Sequence, residues 1–234
     1  MTTHRPTERA MTPYAILSAL LDYPQQELID ALPDIESALA AWPDARRELT
    51  PVLAALSGHS LIESQECYVA TFDRNRSHSL HLFEHVHGES RERGQAMVDL
   101  LDEYRSHGFD VAANELPDYV PLFLEVLGLL DADQAQALLD EAIHVLAAVG
   151  ERLARAESPY AGIFAVLRQL SRVQPQPLMK PPVSDMDEAL EVFGVGPDGV
   201  EPLLTPSATQ TIRFHPRGTA TPRDMPPAHL SRGA

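Results

Sequence analysis

Residues 132–156, ADQAQALLDEAIHVLAAVGERLARA, decide the fold class. Ala135, Leu138, Leu139, Ala142, Ile143, Leu146, Val149 and Leu153 recur at spacings of three and four, the repeat of a single helix face. The same period returns upstream and downstream, and nowhere does a convincing period of two replace it. Thr12-Pro13 offers a cap and a first-turn proline for a helix with Tyr14, Leu17, Leu20 and Leu21 on one side. Pro24, Pro33 and Pro43 are then expected to restart short helices, and Pro51 to split the one that follows. Leu61, Tyr68, Val69 and Phe72 share a side of residues 60–72, leaving Glu63 and Glu66 to water. Met97, Leu100, Leu101 and Tyr104 form a further stripe that Gly108 can end in the left-handed conformation. Ser158-Pro159 opens a last helix that buries Tyr160, Ile163, Phe164, Leu167 and Leu170. The expectation is an all-α, single-domain helical bundle over residues 12–173, after a flexible N-terminal extension at 1–11.

From Gln174 the composition changes: eleven of the twenty prolines and five of the twelve glycines fall in the final 61 residues, which predicts a mostly irregular tail over 174–234. Within it Ser184-x-x-Asp187 resembles a capping box, and Met186, Leu190 and Phe193 share a face, so a short helix is expected near 185–193. With 34 acidic and 18 basic residues the formal net charge is −16. The tail carries seven acids and five bases, so −14 of that charge resides on residues 1–173. Such a chain repels phosphate backbones, which argues against nucleic-acid binding, and it attracts a basic partner. The single cysteine, Cys67, excludes an internal disulfide and fits a reducing compartment. The polar N-terminus, MTTHRPTERAMTP, does not read as a signal peptide, and no run approaches the ~20 apolar residues of a membrane span. A cytoplasmic location without stable membrane insertion is expected.

The stretch richest in chemistry is residues 78–97, HSLHLFEHVHGESRERGQAM. His81-x-x-Glu84-His85 has the spacing with which inverzincin peptidases hold zinc, provided both histidines lie on one helix. Against a zinc hydrolase, Ser79 and Gly88 bound a helix of only about two turns, and its Leu80, Leu82, Phe83 and Val86 are those of a packing element. The plainer reading has the histidines capping, hydrogen-bonding or lining a groove. Cys67 sits in an apolar helical stretch and reads as core. Phosphate-cradle, dinucleotide-turn and nucleophile-elbow motifs are absent. Glu115 and Asp118 precede a helix that starts around Pro117 or Pro121, where acids suit the positive helix end. Arg91 and Arg93, by contrast, oppose the dipole of a helix's first turn unless acids such as Glu89 and Glu92 compensate.

Taken together, YVATFDRNRSHSLHLFEHVHGESRERGQAMVDLLDEYRSHGF and the later ELPDYVPLFLEVL resemble the NarJ-type nitrate reductase assembly chaperones, most closely from Gln65 to about Leu127. The island DEALEVF is similar to the short acidic-aromatic helix near the end of that family. The resemblance implies the all-helical bundle of the TorD/DmsD type and a chaperone that is not an enzyme and holds no cofactor. It also implies a client, the catalytic alpha subunit of respiratory nitrate reductase, bound chiefly through its N-terminal segment and kept competent for molybdenum cofactor insertion. Delivery proteins of that cofactor are further candidate partners. Carried over by motif, the client-binding residues are Tyr68, Phe72, Leu82, Phe83, Glu84, His85, His87, Arg91, Arg93, Glu115, Asp118 and Tyr119. The wider group often has a histidine after the aspartate where this chain has Tyr119.

Helix-in-groove recognition follows as the expected mode, with Tyr68, Phe72, Phe83 and Tyr119 meeting the apolar face of the client and Glu84, Glu115 and Asp118 its positive charges. Protonation of His85 and His87 is expected to retune that groove around neutral pH. The zinc hydrolase and a permanent acidic subunit of a larger complex are the competing readings.

Overall fold

The computed structural model describes residues 12–88, 90–111 and 115–178. The N-terminal extension at 1–11, Glu89, and the tail helix expected near 185–193 lie outside them. Among the described residues the regular elements are helices: α1 (Pro13–Leu21), α2 (Gln26–Ala38), α3 (Pro43–Gly58), α4 (Leu61–Tyr68), α5 (Leu82–His87), α6 (Arg91–Ser106), α7 (Val120–Leu129), α8 (Ala132–Arg155) and α9 (Ala161–Leu170). A π-turn, Val69–Asp73, and a 3-10 turn, Arg76–His78, carry the chain from α4 to α5.

The long stripe that opened the sequence becomes α8, and all eight of its apolar positions are buried. Val145 and Ala147 are buried as well, because α8 is flanked on more than one side, by α9, α7 and α5. Asp131 caps it by accepting from the Gln134 N–H at 2.9 Å. On α1, Thr12 accepts from the Ala15 N–H at 3.2 Å, and Ile16, Leu17, Leu20 and Leu21 pack inward, chiefly against α7. α4 begins with a reciprocal cap: Glu63 N–H donates to the Ser60 hydroxyl at 3.3 Å, and Ser60 N–H donates to the Glu63 carboxylate at 2.8 Å. Gly108, with φ of 87°, closes α6 as its left-handed conformation suggested.

Three expectations about helix boundaries are corrected. Pro33 lies inside α2 and Pro51 inside α3, neither of which it interrupts. Both prolines face solvent, so the carbonyl each leaves without an intrahelical donor can bond water instead of being stranded in the core. Ser158-Pro159 does not begin α9; Glu157 takes a positive φ of 53°, a single turn follows, and regular helix starts at Ala161.

α9 fits closely between α3 and α8. A Cβ on Gly162 would collide with the backbone carbonyl of Glu48 in α3, and one on Gly150 of α8 would press on Phe164. These two glycines set how near the helices lie. The segment past α9 continues along α8: Asp140 accepts from the Ser171 hydroxyl at 2.7 Å and the Arg172 N–H at 2.8 Å, and Gln176 N–H donates to His144 Nδ1 at 3.0 Å. Gly162→Ala must push α9 off the α3 backbone, and urea unfolding should show a loss of about 1–3 kcal/mol, the usual scale for overpacking. Gly58→Ala, which meets open space at a helix end, is the matched control and should change stability far less.

Candidate functional site

The two segments that carry the family resemblance meet at one end of the bundle. His81 and Tyr119 form an isolated antiparallel bridge, with Leu82 N–H donating to the Asp118 carbonyl at 3.0 Å and Val120 N–H to the Leu80 carbonyl at 2.8 Å. This pairing holds His81 extended, so α5 begins at Leu82 rather than directly after Ser79, whose hydroxyl accepts from the His81 N–H at 3.2 Å. Asp118 is fully buried at 0% exposure. Its Oδ2 accepts from the Phe83 N–H at 3.1 Å, and its Oδ1 lies 3.3 Å from His81 Nδ1. Asp118 thus caps α5 from across the bridge, not the helix α7 that follows it in sequence. α7 instead begins with Pro121 in its first turn.

Each histidine of the segment has its own task. His85 Nδ1 accepts from Arg152 Nη1 at 2.9 Å, which leaves the ring proton on Nε2 to be donated to the Ser79 carbonyl at 2.8 Å. Arg152 also donates to the Ser77 carbonyl at 3.1 Å, fastening the α4–α5 connection to α8. Burial holds the His85 pKa below the usual histidine value despite the Ser79 bond, and the Arg152 guanidinium adds to that. His78 Nδ1 lies 3.1 Å from the Thr71 carbonyl. His87 packs against Phe83, ring centroids 5.8 Å apart, and its pKa is lowered by burial, opposed by Glu92 with Oε2 at 3.7 Å. The zinc spacing therefore opens out: His81 turns to Asp118, Glu84 pairs with Arg93 at 3.2 Å, and His85 uses both ring nitrogens on protein groups. Among the described residues no group of three His, Cys, Asp or Glu side chains is placed to share a metal ion.

The residues singled out by the motif divide into two sets. Tyr68, Phe72, Leu82, Phe83, His85 and Asp118 are buried, whereas Glu84, His87, Arg93 and Tyr119 are partly covered and Arg91 and Glu115 are exposed. Phe83, at 2% exposure, is a core residue, and Tyr68 stacks with Phe72 and Tyr160. Tyr68 donates its hydroxyl to the Leu21 carbonyl at 3.0 Å, so the 3.0 Å contact with Tyr119 has Tyr119 as donor. Burial, with the nearby Tyr119 next in weight, pushes the Tyr68 phenol far up, and burial likewise raises Tyr119. Asp22, Asp73 and Glu115, from separate parts of the chain, add to the rise at Tyr119 through their negative charge. Tyr23 extends the patch outward, 40% exposed and edge-on to Tyr68 at 5.5 Å.

Asp22, Tyr23, Asp73 and Arg152 were not among the residues singled out in the sequence. The first two sit in the α1–α2 turn and Asp73 ends the π-turn after α4, so no spacing links them to the motif. The basic Arg152 directly before buried Leu153 was the one available signal.

Two outcomes follow. Asp118→Ala leaves the buried Phe83 N–H without its acceptor and should lower stability in urea by about 1–3 kcal/mol, with Asp118→Asn milder because an amide oxygen can still accept. A histidine whose folded pKa is depressed contributes stability above its unfolded pKa of ~6.5, lost as pH falls through the folded value. The drop in unfolding free energy between pH 7.5 and 5.5 should therefore be smaller in His85→Gln than in the parent chain.

The family model described as nitrate reductase delta subunit matches residues 34–166, which include both halves of the bridge. The chain is 41% identical over 165 residues to the "Nitrate reductase molybdenum cofactor assembly chaperone NarJ" of Escherichia coli strain K12, covering 69% of this chain and 70% of that one. It is 42% identical over 156 residues to the "Probable nitrate reductase molybdenum cofactor assembly chaperone NarW" of the same strain, covering 67% and 66%. The "Probable nitrate reductase molybdenum cofactor assembly chaperone NarJ" of Bacillus subtilis strain 168 is 30% identical over 163 residues, covering 69% and 88%. The chain belongs to the nitrate reductase delta subunit family, among the NarJ-type molybdenum cofactor assembly chaperones.

Proposed function

We propose that this protein is an assembly chaperone that binds the catalytic alpha subunit of nitrate reductase, chiefly through its N-terminal segment, and keeps it competent for molybdenum cofactor insertion. The observation that carries the reading is the identity of 41%, spread across most of both chains, with a protein named as a nitrate reductase molybdenum cofactor assembly chaperone. The surface chemistry agrees with it. Tyr119 sits in the negative field of Asp22, Asp73 and Glu115, on a chain of net charge −16. Such a face suits an amphipathic segment that presents an apolar side and basic residues, and its charge would speed encounter by steering.

The proposed client-binding set remains the one carried by the motif, with its members acting in two ways. Tyr119, Glu115, Glu84, Arg91 and Arg93 are accessible enough to meet the client. Tyr68, Phe72, Leu82, Phe83, His85, Asp118 and His87, whose side chain is only 7% exposed, act from behind, as the packed wall that fixes them. Work of this kind needs no reacting group, and the chain is read as a non-enzyme. No helix among the described residues is long and apolar enough to cross a membrane. Cytoplasmic action, with cofactor delivery proteins as additional partners, belongs to the same reading.

Tagged full-length chain should co-purify with the alpha subunit, and should capture much less of an alpha subunit lacking its first helix. Glu115→Lys should reduce capture several-fold, and more so at low salt, because the lost attraction is screened as salt rises. Equal capture of both forms of the alpha subunit would sink the assignment of the N-terminal segment, and no capture of either would sink the client.

A further inference from the structure

α1 and α2 leave an open groove of about 460 Å³ between them. Ala15 and Ala19 of α1 face Leu28, Ala31 and Ile35 of α2 across it, and Tyr23 stands at its end. The spacings, i and i+4 on one wall and i, i+3 and i+7 on the other, make two ridges about 6 Å and about 10 Å long. Three alanines let another backbone come close. Tyr23 then joins the groove to the motif, since its ring meets Tyr68, which is hydrogen-bonded to Tyr119.

Charge says what fits. Asp22 and Glu27 line the groove, α2 also exposes Asp30, Asp34 and Glu36, and residues 13–38 contain no lysine, arginine or histidine. An acidic helix would be repelled along both walls. That disfavours this chain's own residues 185–193, DMDEALEVF, which hold four acids and no base.

We propose that the α1–α2 groove is a docking site for a basic amphipathic helix of a partner protein, whose large apolar side chains lie over Ala15, Ala19 and Ala31 while its lysines or arginines meet Asp22 and Glu27. This deepens the client-binding reading by moving the apolar contact from buried Phe83 and Phe72 to a surface that is open. Tyr23 is its boundary with the Tyr119 patch.

The test uses the full-length chain and fluorescence anisotropy with three labelled probes. One is a Leu/Lys peptide with leucines at i, i+3, i+4 and i+7, the second its Leu/Glu counterpart, the third a peptide of residues 184–194. Only the Leu/Lys peptide should bind. Ala15→Lys, at an exposed helix position, and Glu27→Lys should each weaken it by about tenfold or more, whereas Asp99→Lys on α6, a charge control, should change it by less than about twofold. Unchanged binding in the groove variants, equal weakening by the control, or comparable binding of the 184–194 peptide would overturn the proposal. So would a dimer that Ala15→Lys splits, because the occupant would then be a second copy. The alpha subunit's N-terminal peptide, added as a fourth probe, separates the two readings. If it binds the parent chain and the groove variants alike, the client stands and the groove falls. If it fails while the Leu/Lys results hold, the groove stands and the client falls.

Discussion

A single buried carboxylate ties the recognisable end of this molecule together. Asp118 has no exposed surface, and a carboxylate in such a place is costly unless donors surround it. Here the Phe83 N–H and the His81 ring lie beside it, and the main chain on either side is paired with residues 80–82. One side chain therefore fixes the start of α5 and the approach of the chain to α7. α5 has only six residues and could not persist by its own propensity. It depends on being capped from outside, while Leu82, Phe83 and His85 press it into the core.

Several polar groups nearby follow one pattern: long side chains reach across to backbone carbonyls as well as to each other. Tyr104 donates to the Pro117 carbonyl at 2.8 Å, Tyr68 to Leu21, His85 to Ser79 and Arg152 to Ser77. Each bond satisfies a carbonyl in a connecting segment or at a helix end, and each pins that stretch of chain to a neighbouring element. Connections that would be loose in a bundle of separate hairpins are held in one arrangement. For a protein that acts by binding, a wall fixed this way avoids the ordering cost that a mobile surface pays on association.

Much of the fold was legible because helical period reports burial directly, as α8 and α1 demonstrate. Pro33 and Pro51 were misread because the period says nothing about which side of a helix a proline occupies, and on the solvent side its missing donor costs little. The site was harder to read. The two segments that the motif picked out do pack together, yet the spacing of His81, Glu84 and His85 suggested convergence, whereas the bridge to Tyr119 keeps His81 out of the helix and sends the three side chains to different partners. Asp22, Tyr23 and Asp73 could not be found at all, since only tertiary packing brings them to Tyr119. Half of the residues that the resemblance picked out turn out to be packed inside, and the surface beside them became visible only in three dimensions.

The hydrogen-bond chain from Tyr119 through Tyr68 to the Leu21 carbonyl has a direction. Each phenol has one proton, and both are committed inward, so the relay ends at the surface on an oxygen that keeps lone pairs and has nothing left to donate. The polarity of that oxygen is thus decided some 100 residues away in sequence, by a helix end in α1. Any donor placed beside that oxygen would find an acceptor already oriented, whereas a carboxylate would find only a second acceptor. The preference between donor and acceptor at this point is therefore set by the fold itself, through the direction in which two phenol protons point.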